Sequence, residues 1–206
     1  MIAAGGPQRT RTNVRRTAPD AHSHPRYSRT GAALSTAAIE LASETPASRL
    51  TVDQVVRRAG VNRSTFYTHS ENPTALLNAA MRTALDRSHT FQLTLPGGQR
   101  TLGTTLSTVS SHVQEHLAVY RTALADPTAA GAIFHNLSEY LEEQLTRAGP
   151  PAIRSELAAA AIAGAVTGTI RSGLRHGEID LQSVWAALNA VLRADGESQE
   201  RCTSVS

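Results

Sequence analysis

The 206-residue chain contains no lysine: all 20 of its Lys/Arg positions are arginine. Arginine forks onto phosphates and guanine edges better than lysine does. The absence runs through the whole chain, however, so it reads as a GC-rich coding habit and no function is drawn from it. Cysteine is nearly absent too. The single Cys202 sits in a polar tail, which excludes an internal disulfide and fits a reducing cytoplasm. Aromatics make up 4% of the residues, so a core must lean on Leu, Val, Ile and Ala. The longest apolar run, Leu157 to Ile170, is bounded by Glu156 and Arg171 and is too short and too rich in Gly and Thr to cross a membrane. The N-terminal arginines are followed by no apolar segment, so no secretory signal is expected. Also missing are a nucleophile elbow, a phosphate loop, a metal signature and a cofactor fingerprint. The chain is therefore expected to be no enzyme and to carry no cofactor or metal.

The charge is distributed unevenly. Residues 1–70 hold ten Arg and four Asp/Glu, a net of +6, whereas residues 71–206 hold ten Arg and thirteen Asp/Glu, a net of −3. A basic first third on an acidic remainder suggests a polyanion-binding head on a different kind of body. The other reading of the same asymmetry is a basic tail that only aids solubility.

No stretch alternates as a strand would, and there is no internal repeat, so the expected class is all-α. Residues 1–28 have almost no large apolar side chains and are expected to form a disordered basic arm. The arm either adds phosphate or minor-groove contacts or is an unstructured leader. From Ser28 a helix is expected, with Ala33, Leu34, Ala37, Ala38, Leu41 and Ala42 at helical spacing, ending at Pro46. Thr51 and Gln54 form a capping box for a short second helix that stops at Gly60. Asn62 caps a third helix, and Asn72-Pro73 opens a fourth that runs to Pro96-Gly97-Gly98. One apolar stripe then runs from Leu102 to Leu124. A helix capped by Asp126-Pro127 follows, then a long helix from about Ala152 to Arg175 ending at Gly177, and a last helix built on Leu181, Val184, Trp185, Leu188, Val191 and Leu192.

Leu50-Thr51-Val52, Ala59-Gly60-Val61-Asn62, Thr65-Phe66-Tyr67 with His69, and Leu76-Leu77 together resemble the reading head of the TetR family of bacterial transcription regulators (TetR/AcrR-like helix-turn-helix). The detailed match covers roughly residues 29–78. The resemblance implies an N-terminal helix-turn-helix three-helix domain and a C-terminal helical ligand-binding and dimerisation domain. The expected layout is arm 1–28, DNA-binding domain 29–74, ligand-binding and dimerisation domain 75–195, and polar tail 196–206. Three positions depart from the family pattern. Ser70 stands where an aromatic is usual, Pro73 where a phosphate-touching Lys is usual, and Val56 where a small Ala is usual. The first loosens the expected packing of head on linking helix, and the second removes one backbone contact.

A recognition helix needs short polar and Arg side chains at its N-terminal end, where they reach base edges in the major groove. Arg63, Ser64, Thr65 and Thr68 meet that need, with Asn62 as their cap. Tyr67 and His69 are placed to touch phosphates, as is Thr51 at a helix N-terminus, and Arg29 adds charge nearby. Val55, Ala59, Val61 and Phe66 are the expected apolar centre. The competing reading is a structural helical hairpin with an incidental polar face.

In the body, Ala160, Gly164 and Gly168 on the long helix, with Leu181, Val184, Trp185, Leu188 and Leu192 on the last, form a candidate dimer interface. The same faces would otherwise complete a monomer core. The resemblance implies an effector cavity among the middle helices, for which Phe91, His112, His116, Tyr120, Phe134 and Arg171 are candidate lining residues. The expected function is a cytoplasmic, sequence-specific transcriptional regulator, a repressor released by a small molecule. Its expected partners are double-stranded DNA with a palindromic operator, a second copy of itself and the effector, with no membrane. The alternative is a helical oligomerisation or ligand-binding protein with a degenerate head.

Overall fold

The structure, a computed structural model, describes residues 25–94, 102–149, 153–177 and 186. Among these residues there are eight α-helices and no strand: α1 (Pro25–Glu44), α2 (Val52–Ala59), α3 (Arg63–His69), α4 (Pro73–Thr94), α5 (Leu102–Glu115), α6 (Leu117–Leu124), α7 (Pro127–Ala148) and α8 (Glu156–His176). The expected all-α architecture with an N-terminal helix-turn-helix is what is found.

Local chemistry sets most of the boundaries. Thr51 and Gln54 exchange the two bonds of a capping box at the start of α2. Gly60, at φ 67°, closes that helix in the left-handed region, where a side chain would be strained. Asn62 caps α3, the Asn72 side chain accepts from the Ala75 amide at 2.8 Å, and Pro73 takes the first position of α4. Asp126 caps α7 ahead of Pro127, and Gly177 ends α8 at φ 85°.

Four boundaries differ from the sequence expectation. α1 begins at Pro25, not Ser28, because proline at the first helical position sacrifices no bond. A single 3-10 turn, Ala47–Arg49, fills the gap after Pro46 and buries Ala47. The stripe from Leu102 to Leu124 is not one helix: the chain breaks at His116, which precedes α6 in a non-helical conformation (φ −108°, ψ 27°). The long helix starts at Glu156, where the Ser155 side chain accepts from the Ala158 amide. The last expected helix, with Leu181, Val184, Trp185, Leu188 and Leu192 of the candidate dimer interface, lies outside the described residues, as do the 95–101 connection, most of the N-terminal arm and the tail.

One apolar cluster runs through the described helices. Leu34, Val55, Phe66 and Leu77 are fully buried at its N-terminal end, and Val109, Leu137, Leu141, Ala163, Val166 and Ile170 are fully buried at the other. α1 is the hub of the first part, packing on α2, α4 and α6. α7 and α8 form the largest helix pair, and α4 packs on α5 and α7. Between α4 and α7, Arg82 pairs with Glu143, and the Asn136 amide donates to the Asn78 carbonyl at 2.9 Å. α8 is long and apolar enough to cross a membrane by length and composition alone, but its apolar face is spent on α7 and α6.

Candidate nucleic-acid interface

The reading face is built on α3, only seven residues long and therefore dependent on its ends and on packing. Phe66 anchors it, fully buried, with the Tyr67 ring edge-on at 5.5 Å. Val55 is buried opposite, and Val61 and Ala59 are partly buried against the same core, as their sequence pattern predicts. With Phe66 turned inward, Arg63, Ser64, Tyr67 and Thr68 are exposed and Thr65 is half-buried. This places the candidate base readers on one outward surface.

Asn62 organises that surface. Its Oδ1 accepts from the Thr65 amide, the Thr65 hydroxyl and the Ser64 hydroxyl, each at 2.7 Å. The two hydroxyls therefore start from a common, fixed position rather than as free rotors. The Thr68 hydroxyl donates back to the Thr65 carbonyl at 2.7 Å. Thr51 is similarly engaged: its hydroxyl accepts from the Gln54 amide at 3.3 Å and donates to Gln54 Oε1 at 2.9 Å. A phosphate bound there must take over the second of these bonds.

Arg63 is held by two neighbours. Its guanidinium pairs with Asp53 on α2 at 3.2 Å. A side-chain hydrogen bond with Tyr67, and then the Asp53 charge, raise its pKa above the ordinary arginine value. Asp53 had no place in the sequence reading, because the contact crosses from α2 to α3 and has no spacing signature. The pair is open to water, so solvent weakens it and DNA can displace it. His69 is half-buried and packs against α1: a side chain added at Gly31 would lie 3.4 Å from His69 Nδ1. Arg29 is exposed near the start of α1. The junction that departs from the family pattern is an ordered turn. The Ser70 amide bonds to the Phe66 carbonyl at 3.0 Å, and its hydroxyl donates to the Asn72 carbonyl at 3.1 Å.

The body candidates also come together. The His112 and His116 rings lie 4.7 Å apart, His112 and Tyr120 5.8 Å, and Tyr120 and Phe134 5.5 Å, with the Arg171 guanidinium 5.2 Å from the Phe134 ring centre. His112, Tyr120 and Phe134 are buried. Desolvation, and secondarily His116, push the His112 pKa down to about 3, while burial also lowers that of His116. The Phe91 side chain lies outside the described residues. On α8, Ala160, Gly164 and Gly168 share an exposed face with Leu157, and a side chain added at either glycine would meet nothing within 4 Å.

Head and body are tied along α1 and α6. The Thr122 hydroxyl donates to the Ser43 carbonyl at 3.0 Å, and the Ser48 hydroxyl bonds to Asp126. The Thr122–Ser43 contact and the Ser48 bond, which lowers the Asp126 pKa, could not be read from the sequence, whereas the Thr128 bond is the α7 cap that Asp126-Pro127 predicts.

Comparison with known proteins agrees with this geometry. The family model for bacterial regulatory proteins of the tetR family matches residues 34–80, which include Ser70 and Pro73. No curated protein matches the chain. Among solved structures, the dihydroxyacetone kinase operon activator DhaS superposes with a TM-score of 0.57 at 14% identity, covering 81% of this chain and 95% of that one. A tetR-family transcriptional regulator from Streptomyces coelicolor superposes with a TM-score of 0.54 at 21% identity, covering 83% of this chain and 85% of that one. The two likenesses are of fold, and the family match is confined to the head: residues 34–80 are similar to the DNA-binding domain of the tetR-family regulatory proteins, which marks the chain as a DNA-binding transcriptional regulator.

Proposed function

We propose that the chain works as a cytoplasmic homodimer that represses transcription from a palindromic operator and is released when a small molecule occupies the body. The supporting observation is the capped α3 surface, on which Asn62 presets the Ser64 and Thr65 hydroxyls beside an exposed Arg63. In this reading Arg63, Ser64, Thr65 and Thr68 meet base edges, while Thr51, Tyr67, His69 and Arg29 meet phosphates. Asn62 is assigned to positioning, since its carbonyl oxygen is already occupied three times. Residues 29–74 serve as the head and 75–195 as the body, flanked by the arm 1–28 and the tail 196–206.

The exposed small-residue face of α8 supports the dimer. A symmetric pair of heads reads two half-sites about one helical turn apart, or a multiple of that. The effector reading is supported by the ring ladder from His112 to Phe134 and by the α1–α6 contacts that join body to head. A ligand releases DNA only by preferring the form that does not bind it. The operon activator of similar fold does not set the sign of regulation here. Repression follows if the operator overlaps the promoter of the regulated gene.

Selection from a random DNA pool tests this reading. The expected result is an inverted repeat whose binding weakens steeply with salt and falls when Arg63 or Tyr67 becomes Ala. Enrichment of no particular sequence, with indifference to those changes, would refute it.

A further inference from the structure

Among the described residues, the buried polar atoms of the body without a hydrogen-bond partner include both ring nitrogens of His112, Nε2 of His116, Oε1 of Gln144 and Oγ1 of Thr167. An unsatisfied buried polar atom is costly, and several in one body require an explanation. His112 in the last turn of α5 and His116 at the break before α6 stand ring against ring. One turn beyond Thr167 on α8, half-buried Arg171 has no carboxylate within ion-pair distance among the described residues. The Arg171 guanidinium is left over the Phe134 ring instead. The orphaned imidazoles and the unpaired guanidinium are joined by Tyr120 and Phe134, which supply an apolar floor.

We propose that the ligand of the body is a small organic acid, its carboxylate paired with Arg171, its apolar part on Phe134 and Tyr120, and a second hydrogen-bonding group facing His112 and His116. The proposal rests on the effector reading above and adds the chemical class. A neutral imidazole offers one donor and one acceptor, which suits a hydroxyl or carbonyl. A single arginine beside neutral rings balances one negative charge, which favours a monocarboxylate over a phosphate. A metal ion fits less well: no group of three ligating residues occurs among the described residues.

The nearby cleft between α5, α6 and the end of α8, lined by Gln114, Leu117, Arg121, Gly173, Leu174 and Gly177, holds about 100 Å³. Ligand pockets usually hold roughly 300–1,000 Å³. A ligand of that size using this cleft has to widen it, and α6, which supplies Leu117 and Arg121 to its wall, is the helix that packs on α1 of the head.

The test measures melting temperature of the full chain, and its affinity for the selected DNA, against monocarboxylates. The series runs from butyrate to decanoate and from benzoate to phenylbutyrate, each beside its primary amide, with benzylamine and zinc chloride included. Acids are expected to raise Tm in a dose-dependent way and to weaken DNA binding, while their amides do neither. Arg171→Gln, with helicity checked by circular dichroism, should weaken acid binding by at least about tenfold, the scale of one lost ion pair. Amides or benzylamine acting as well as acids, or zinc acting through His112, would overturn the acid class and leave an effector in place. If no compound in these series or in a broad metabolite library changes DNA affinity, the effector reading itself falls.

Discussion

His112 should make this protein acid-sensitive by an amount that can be worked out. Its ring is fully buried, neither nitrogen has a partner, and burial pushes its pKa from 6.5 down to about 3. The folded state thus prefers the neutral ring, and the unfolded chain takes up the proton more readily. Stability from this group is complete above pH 6.5 and declines as the pH falls towards 3. At pH 5 the unfolded ring is almost fully protonated and the folded ring is not. The difference is about 2 kcal/mol relative to pH 8, and the same for any folded pKa below about 4, because protonation of the unfolded chain dominates. The perturbation is His112→Phe, which keeps an aromatic ring against Tyr120 and removes the proton site. Urea unfolding at pH 8 and pH 5 is the assay. The wild type should lose about 2 kcal/mol more than the variant between the two pH values. His116, which repels the charged form of His112, titrates in the same direction and remains in both proteins. Equal losses in the two proteins would refute the argument and mean that His112 is hydrated or paired in solution.

Three further outcomes are expected. Asn62→Ala removes the α3 cap and should destabilise by about 1 kcal/mol, while Asn62→Asp should keep most of that stability; thermal melts compare them. Gly60→Val forces a β-branched side chain to φ 67° and should cost roughly 1–2 kcal/mol in urea unfolding, although no neighbour obstructs the added atoms. A Cβ at Gly164 or Gly168 meets nothing within 4 Å on this exposed face, so with Gly164→Leu or Gly168→Leu the melting temperature of the isolated subunit should hold while sedimentation shows the proposed dimer weakened.

What could be read in advance follows from where the information lies. Capping residues act within three or four positions, so Thr51 with Gln54, Asn62, Asn72-Pro73 and Asp126-Pro127 marked helix starts correctly. Periodicity marked Phe66 and Val55 as core. It did not mark the break at His116, because the apolar spacing of α5 continues into α6 without a proline or glycine between them. The start of α8 was placed too early because Ala152 and Ile153 extend its apolar composition ahead of the Ser155 cap. Through-space partners were invisible: Asp53 for Arg63, Gly31 for His69 and Ser48 for Asp126 join residues whose spacing carries no local signal.

On the proposed effector reading, the break at His116 also bears on how the body would act on the head. An unbroken helix from Leu102 to Leu124 would lock the His112 pair rigidly to the surface that meets α1. Instead, α6 is a separate eight-residue segment with His116 at its start, Thr122 bonded to the Ser43 carbonyl near its end, and Asp126 just beyond, bonded to Ser48. Its inner face is buried through Val119, Tyr120 and Ala123. Displacing His116 or Tyr120 therefore moves α6 as one short rod, and both bonds to the head shift with it. Thr122→Val together with Ser48→Ala should loosen this coupling without touching the α3 surface. DNA affinity without effector should then change little, while the loss of affinity caused by effector shrinks. Coupling of unchanged size in the double variant would mean that the signal travels through α4 instead, whose Asn78 and Arg82 contacts with α7 offer the other connection.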